Sequence, residues 1–262
     1  MSKLRSKDII SCCLLAVLLV ISNFNMVHAG EDKKGYMDEE AVKIMKSMAD
    51  YLSKAQTMSF TATTFYDHAT KSGIMIKHMK YIDVFVKRPD DVMGIIKMDD
   101  QKERKIFYNG KSLVRFLVKE NTYQEIDFTG DIDEMLDHVM DNYAIALPLA
   151  DFLYNDLAGT LKEGVISAEY VGESMVQGVK CHHLSFESIG ADWQMWVQAD
   201  GQPVPILFNI KYIEVEGNPE YLAIFKNWKI DPNLDGKMFS FVPPAGAKNI
   251  PIKKTAYSAT VE

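Results

Sequence analysis

Three adjacent residues, Cys181-His182-His183, have the thiol and imidazole chemistry that binds soft or borderline metals. They form a site only if they converge. Neighbours in a strand point to opposite faces, so His182 turns away from Cys181 and His183. No CxxC or HxxxH spacing supplies the missing ligands. The simpler expectation is Cys181 buried as a small hydrophobe, the histidines filling sheet positions, and no metal or cofactor. Asp131, Asp133, Glu134, Asp137 and Asp141 offer carboxylates for acid–base work. Acids at a helix start are stabilising in themselves, so a solvated acidic face explains them equally well. Asp90-Asp91 and Asp99-Asp100 read as turn residues, and His68, His78 and His138 stand alone. GxSxG, HExxH, a Gly-rich phosphate loop and EF-hand spacing are all absent, and no enzyme is expected.

Aromatic residues offer a second kind of chemistry. Trp193, Trp196, Trp228 and Tyr221 could stack on a sugar, but Trp193 and Trp196 at i and i+3 of a strand face opposite sides. One would line a cavity and the other the outer surface. Fifteen Met and 13 Phe are the broader signal. Met45, Met48, Met135 and Met140 fall on helix faces, where flexible thioethers suit a wall that adapts to varied acyl chains. The expected wall of a ligand cavity combines Met48 and Met135 with Phe60, Val84, Val86 and Phe107 from the first half of the chain. Leu184, Phe186, Trp196, Phe208 and Phe225 complete it from the second half. The pattern leaves open whether the enclosed space is vacant or filled.

These residues sit in 262 positions that are 47% hydrophobic and 25% charged, an ordinary globular balance. The formal net charge of -7 leaves no basic face for a duplex, so nucleic acid is not an expected partner. Lys3, Arg5 and Lys7 precede an apolar run from Ile9 to Ile21, and Val27-His28-Ala29 makes a small-residue cleavage pattern. The run is shorter than the roughly 20 residues that span a bilayer. Residues 1–29 are expected to be a cleaved signal peptide, and 30–262 a single exported domain. Cys12 and Cys13 lie inside the apolar run, so no lipid-anchoring Cys follows it. Cleavage leaves Cys181 as the lone thiol, so a hydrophobic core rather than disulfides must hold the domain.

Asp38 followed by Glu39 and Glu40 begins a helix over 38–55, with Ala41, Ile44, Met45, Met48, Leu52 and Ala55 on one face. The period then changes from 3.6 to 2. Strands are expected near 58–67, 74–87, 92–99, 104–109, 112–118 and 122–128. Asn109-Gly110 reads as a type I′ hairpin turn. Helical spacing returns in 131–157, with a second helix beginning at Pro148. Strands resume near 165–172, 179–187, 193–199, 205–214, 221–230 and 238–242. Short connectors force antiparallel neighbours. The fold class is therefore mainly β (α+β): a curled antiparallel half-barrel of about a dozen strands, with the N-terminal helix and a two-helix insertion as lid or plug.

Several stretches carry a resemblance. They include Arg88-Pro89, Tyr108-Asn109-Gly110, Leu147-Pro148-Leu149-Ala150-Asp151 with Leu153-Tyr154, and Val171-Gly172 followed by Gly178-Val179-Lys180-Cys181-His182-His183-Leu184. Asp192-Trp193-Gln194-Met195-Trp196-Val197, Pro203-Val204-Pro205, Pro219, Phe225, Trp228 and Phe241-Val242-Pro243-Pro244-Ala245-Gly246-Ala247 extend it. Over about residues 40–252 the chain resembles a family of predicted periplasmic proteins of the DUF2092 type. That family is remotely similar to the LolA/LolB lipoprotein-localisation factors, half-barrels lidded by helices around an acyl-chain cavity. The resemblance implies a hydrophobic-carrier architecture. The expected protein is periplasmic and monomeric and binds or carries a hydrophobic small molecule, lipid or lipoprotein, with transient contact to envelope proteins or membrane. Two other readings stay open: an envelope protein-interaction module with a filled core, and a hydrolase or metal enzyme.

Overall fold

A computed structural model describes residues 35–143, 145, 147 and 149–254. The expected leader and its cleavage point lie outside them. The first helix, α1 (Glu39–Lys54), starts where Asp38 accepts the Glu40 amide at 2.8 Å. Its face of Ala41, Met45, Met48, Ala49 and Leu52 is buried. Six strands follow: β1 (Thr57–Ala69), β2 (Met75–Lys87), β3 (Asp91–Met98), β4 (Glu103–Asn109), β5 (Ser112–Leu117) and β6 (Thr122–Asp127). Alternate residues along them are buried, as a sheet with one face against a core requires. The β4–β5 turn is not type I′. Gly110 alone takes positive φ there (74°), while Asn109 turns the chain through its side chain, accepting from the amides of Lys111 and Ser112 at 3.2 Å.

The second half of the sheet is β7 (Val165–Val176), β8 (Val179–Ser188), β9 (Ala191–Gln198), β10 (Pro205–Tyr212) and β11 (Glu220–Ile230). The spatial order is β6-β5-β4-β3-β2-β1-β11-β10-β9-β8-β7, all antiparallel, and the sheet does not close. Chain order suggested one continuous run of neighbours. Instead the two meanders join at β1 and β11, where Ala62 faces Phe225 and Thr64 faces Ala223. This leaves β6 and β7 at opposite edges of an open half-barrel.

The chain from β6 to β7 must therefore cross the whole sheet, ten strand spacings or about 48 Å along its arc. It does so through α2 (Ile132–Tyr143), a 3-10 helix (Ala150–Leu153) and α3 (Leu157–Lys162). The expected second helix from Pro148 is thus replaced by a 3-10 turn and a later helix, which begins where Asp156 accepts the Gly159 amide at 3.0 Å. Residues 131 and 134 form a reciprocal capping box at the start of α2. The Glu134 amide donates to Asp131 at 2.9 Å and the Asp131 amide to Glu134 at 3.0 Å. No helix among the described residues is long and apolar enough to cross a membrane.

A second crossing runs over the other face. After β11 the chain passes back over β3 and β4 to the far edge, where β12 (Lys248–Asn249) pairs in parallel with β6. The strand expected at 238–242 is a 3-10 helix (Gly236–Phe239), because Asp235 caps it and the apolar residues pack downward rather than pair. Phe239 is buried, and Phe241 packs on Phe107, Phe116 and Tyr123 with centroids 5.1–5.4 Å apart. Phe241→Ala should cost about 2 kcal/mol in urea unfolding, roughly half the usual price of emptying a fully buried Phe position. It should also speed proteolytic cleavage within 236–254, measured by limited digestion.

Candidate functional site

The helix-covered, inner face of the sheet is the one place where the expected wall residues gather. Phe60, Val84, Val86, Leu184, Phe186, Phe208 and Phe225 point to it, and Met48 of α1 and Met135 of α2 are buried against it. Phe107 and Trp196 do not belong to this wall. By strand alternation Phe107 faces outward, where Phe241 covers it. Trp196 also faces outward and stacks on His183 with centroids 4.0 Å apart, while Trp193 takes the inner side and stacks on Phe186 at 3.9 Å.

The insertion divides the inner space. Phe152 of the 3-10 helix wedges between Phe208 and Phe225, edge-on to both at 5.5 and 5.1 Å. It is placed by the turn at Leu149, a fully buried non-glycine residue at φ 61°. Over β9–β11 the space is therefore filled. Over β4–β6 it narrows to a crevice of about 10 Å³, the size of one water, between Ile106, Leu113 and Ile126 of the sheet and Ile145 and Leu147 of the insertion. Ile252 reaches this crevice after the tail has rounded the β6 edge. Pattern reading missed Phe152 and Leu147. The Leu147–Asp151 motif was the available signal, since an apolar run interrupted by Pro148 marks a turn that must pack.

Polar bonds join the start of α2 to residues 153–155 and tie that point to the sheet through Arg88. Arg88 donates from Nη1 to the Leu153 carbonyl at 2.8 Å and to Asn155 Oδ1 at 2.7 Å. Asp133 accepts the Asn155 amide at 3.0 Å, and burial raises the Asp133 carboxyl above its ordinary range. Tyr154 donates to Asp137 at 2.8 Å. The acidic residues of α2 thus cap and tether rather than form a catalytic pair. Elsewhere the described apolar side chains of the insertion, such as Leu147, Leu149 and Phe152, are buried in the core against the sheet.

The Cys-His-His run divides between the two faces. His182 meets the Tyr170 hydroxyl at 3.0 Å on the inner side, and His183 meets Gln194 Oε1 at 2.9 Å on the outer side. Cys181 is fully buried, and burial pushes its thiol pKa up. Among the described residues no group of three or more His, Cys, Asp or Glu stands close enough to hold a metal ion.

The fold and this face define a class: an open antiparallel half-barrel whose apolar inner surface is covered by a chain-crossing insertion. The chain belongs to the DUF2092 family of predicted periplasmic proteins, whose model matches residues 41–253, and it is a periplasmic protein. No curated protein matches it. Among solved structures it is similar to the lipoprotein LppX of Mycobacterium tuberculosis, at 13% identity over 76% of this chain and all of that one, with a TM-score of 0.45. LprF of Mycobacterium bovis matches at 10% identity over 76% and 99%, with a TM-score of 0.44. A LolA superfamily protein of Nitrosomonas europaea matches at 10% over 77% and 97%, with a TM-score of 0.34.

Tyr108 ties the sheet to the start of α2, its hydroxyl donating to the Gly130 carbonyl at 2.6 Å. Burial, with Asp90, Asp131 and Glu134 nearby, pushes its pKa up to about 12 from 10.0. The folded state favours the neutral phenol, so this contribution is complete below pH 10 and is lost as pH rises toward 12. Tyr108→Phe should lose stability less steeply than the parent between those pH values, measured by urea midpoints.

Proposed function

We propose that this protein binds or carries a hydrophobic ligand, a lipid or the acyl chains of a lipoprotein, between the inner face of the sheet and the insertion, without catalysis. The reading includes removal of residues 1–29 and a single domain over 30–262. The observation that carries it is the way the insertion is attached. Polar bonds hold it near Arg88 and at Tyr108, whereas Ile145 and Leu147 meet β4–β6 through apolar packing, where the water-sized crevice lies. Moving Ile145 and Leu147 away would open an apolar slot backed by Ile106, Leu113 and Ile126. Each methylene buried there contributes about 0.8 kcal/mol. The closed arrangement is then the empty carrier, with its own side chains occupying the ligand's place.

A second reading, an interaction module with a filled core, is favoured by one observation. Val171 and Met175 are exposed, at 52% and 65%, on the edge strand β7. Beyond the bridge that residues 36–38 make to Ala168, this stretch of edge with apolar side chains suits β-augmentation by another protein.

Native mass spectrometry of mature protein from its own envelope fraction separates the two, with co-purifying lipid expected for a carrier. Leu147→Lys should lower uptake of a fluorescent fatty acid by about tenfold, since a buried ammonium in the slot opposes an acyl chain. The exposed control Lys211→Ala should bind as the parent does. A clean apo mass together with no uptake by the parent protein would remove the carrier reading and leave the interaction module.

A further inference from the structure

The inner face is not apolar throughout. Lys80 on β2, Arg104 on β4 and Arg115 on β5 share strand parity with the core residues Ile82, Ile106 and Leu113, so all three are on the helix-covered side. The register sets them in a diagonal row. Lys80 is opposite Met98, Arg104 opposite Ile96, and Arg115 opposite both Ile106 and Gln124. Each is half-buried.

Their partners do not neutralise them. The ion pairs among the described residues include none of the three. Lys80 Nζ rests 4.1 Å above the Tyr66 ring, a cation–π contact, and Arg115 donates from Nε to the neutral Gln124 Oε1 at 2.9 Å. Asp99 is the carboxylate that acts on Lys80, but it already accepts from the Met79 amide at 3.1 Å and pairs with His78 Nδ1 at 2.9 Å. Burial lowers the pKa of both Lys80 and Arg115, and repulsion from Arg104 lowers each further. Thr64, the register partner of Lys80, is fully buried, and its hydroxyl has no hydrogen-bond partner among the described residues.

Half-buried, unpaired cations oppose folding unless something compensates them. In a chain of net charge -7, three of them gathered on one inner surface form a local anion site. The row is also continuous with the crevice, since Arg115 and Gln124 line it beside Ile106 and Ile126. We propose that Lys80, Arg104 and Arg115 bind the anionic head, a phosphate or a carboxylate, of an amphiphile whose acyl chain enters the crevice between β4–β6 and the insertion. The inference rests on the carrier reading and narrows it to negatively charged lipids. Arg104 and Arg115 supply forked donors suited to either head group, and Lys80 a point charge.

Titration calorimetry with three probes tests this: lysophosphatidic acid, a monoacylglycerol with the same acyl chain, and inorganic phosphate. The parent protein should bind lysophosphatidic acid about tenfold or more tightly than the monoacylglycerol, as charge-assisted hydrogen bonds of this kind imply. In the double variant Arg104→Gln, Arg115→Gln that preference should collapse toward one, with the melting temperature retained or raised, because no ion pair is broken and two half-buried charges are removed. Lys211→Gln should keep the preference. Equal affinity of the parent for both lipids overturns the head-group site and leaves the carrier reading standing. A preference that survives in the double variant also overturns it. Binding of inorganic phosphate as tight as that of lysophosphatidic acid would mean an ion site without an acyl slot, overturning the inference. Binding of neither lipid removes the carrier reading itself.

Discussion

Pairing between β1 and β11 is the constraint on which the rest of the architecture depends. It joins segments 166 positions apart, as the Asn227–Thr61 side-chain bond across it illustrates. Once the first and last long strands are neighbours, β6 and β7 are driven to opposite edges. The connection between them then has no short route, and a crossing over the apolar inner face is the one that buries its own hydrophobic residues. The aromatic contacts of Phe152 with Phe208 and Phe225 lie beside this seam, so the middle of the insertion is fixed where the two meanders meet. The lid is a topological consequence of the seam.

Local structure was legible in the sequence wherever a local cause acts. Asp38 with Glu39 and Glu40 marks α1, and alternation marks the hairpin strands to within a residue or two except β7, which runs four residues past the expected 172. The β1–β11 seam was not legible, because nothing local in either strand names its partner. Phe107 and Trp196 were assigned to the wrong face for a related reason. Alternation separates a strand's two sides but labels one as inner only when the other is polar. Here the outer side is apolar too, since Phe241 covers Phe107 and Phe116, and Trp196 has His183 as a neighbour. A distant segment thus defeats the rule.

Charge on the inner face follows the opposite logic. Lys80, Arg104 and Arg115 each stand two positions from a core residue, a spacing that places them inward on parity alone. They were overlooked because a cation in an amphipathic strand is usually on the solvent side. The structure has inverted that default on β2, β4 and β5 while keeping the carboxylates of the insertion occupied in caps and tethers, at Asp131, Asp133 and Asp137. Polar groups on the two sides of the inner space therefore do different work. Asp131, Asp133 and Asp137 accept hydrogen bonds in caps and tethers, whereas Lys80, Arg104 and Arg115 form no ion pair among the described residues.

An open sheet has a hazard that a closed barrel avoids, because its two outermost strands offer unpaired amides and carbonyls to any other chain. Here the flanking segments blunt both. Residues 36–38 bridge to the start of β7, with amides and carbonyls exchanged between Tyr36, Asp38 and Ala168 at 2.7 and 2.9 Å. At the far side β12 lies along β6 and binds Tyr123 and Asn121 through Ile250 and Lys248. The sheet can thus stay open while resisting edge-to-edge polymerisation, and deletion of either flanking strip would create a sticky margin rather than a looser fold.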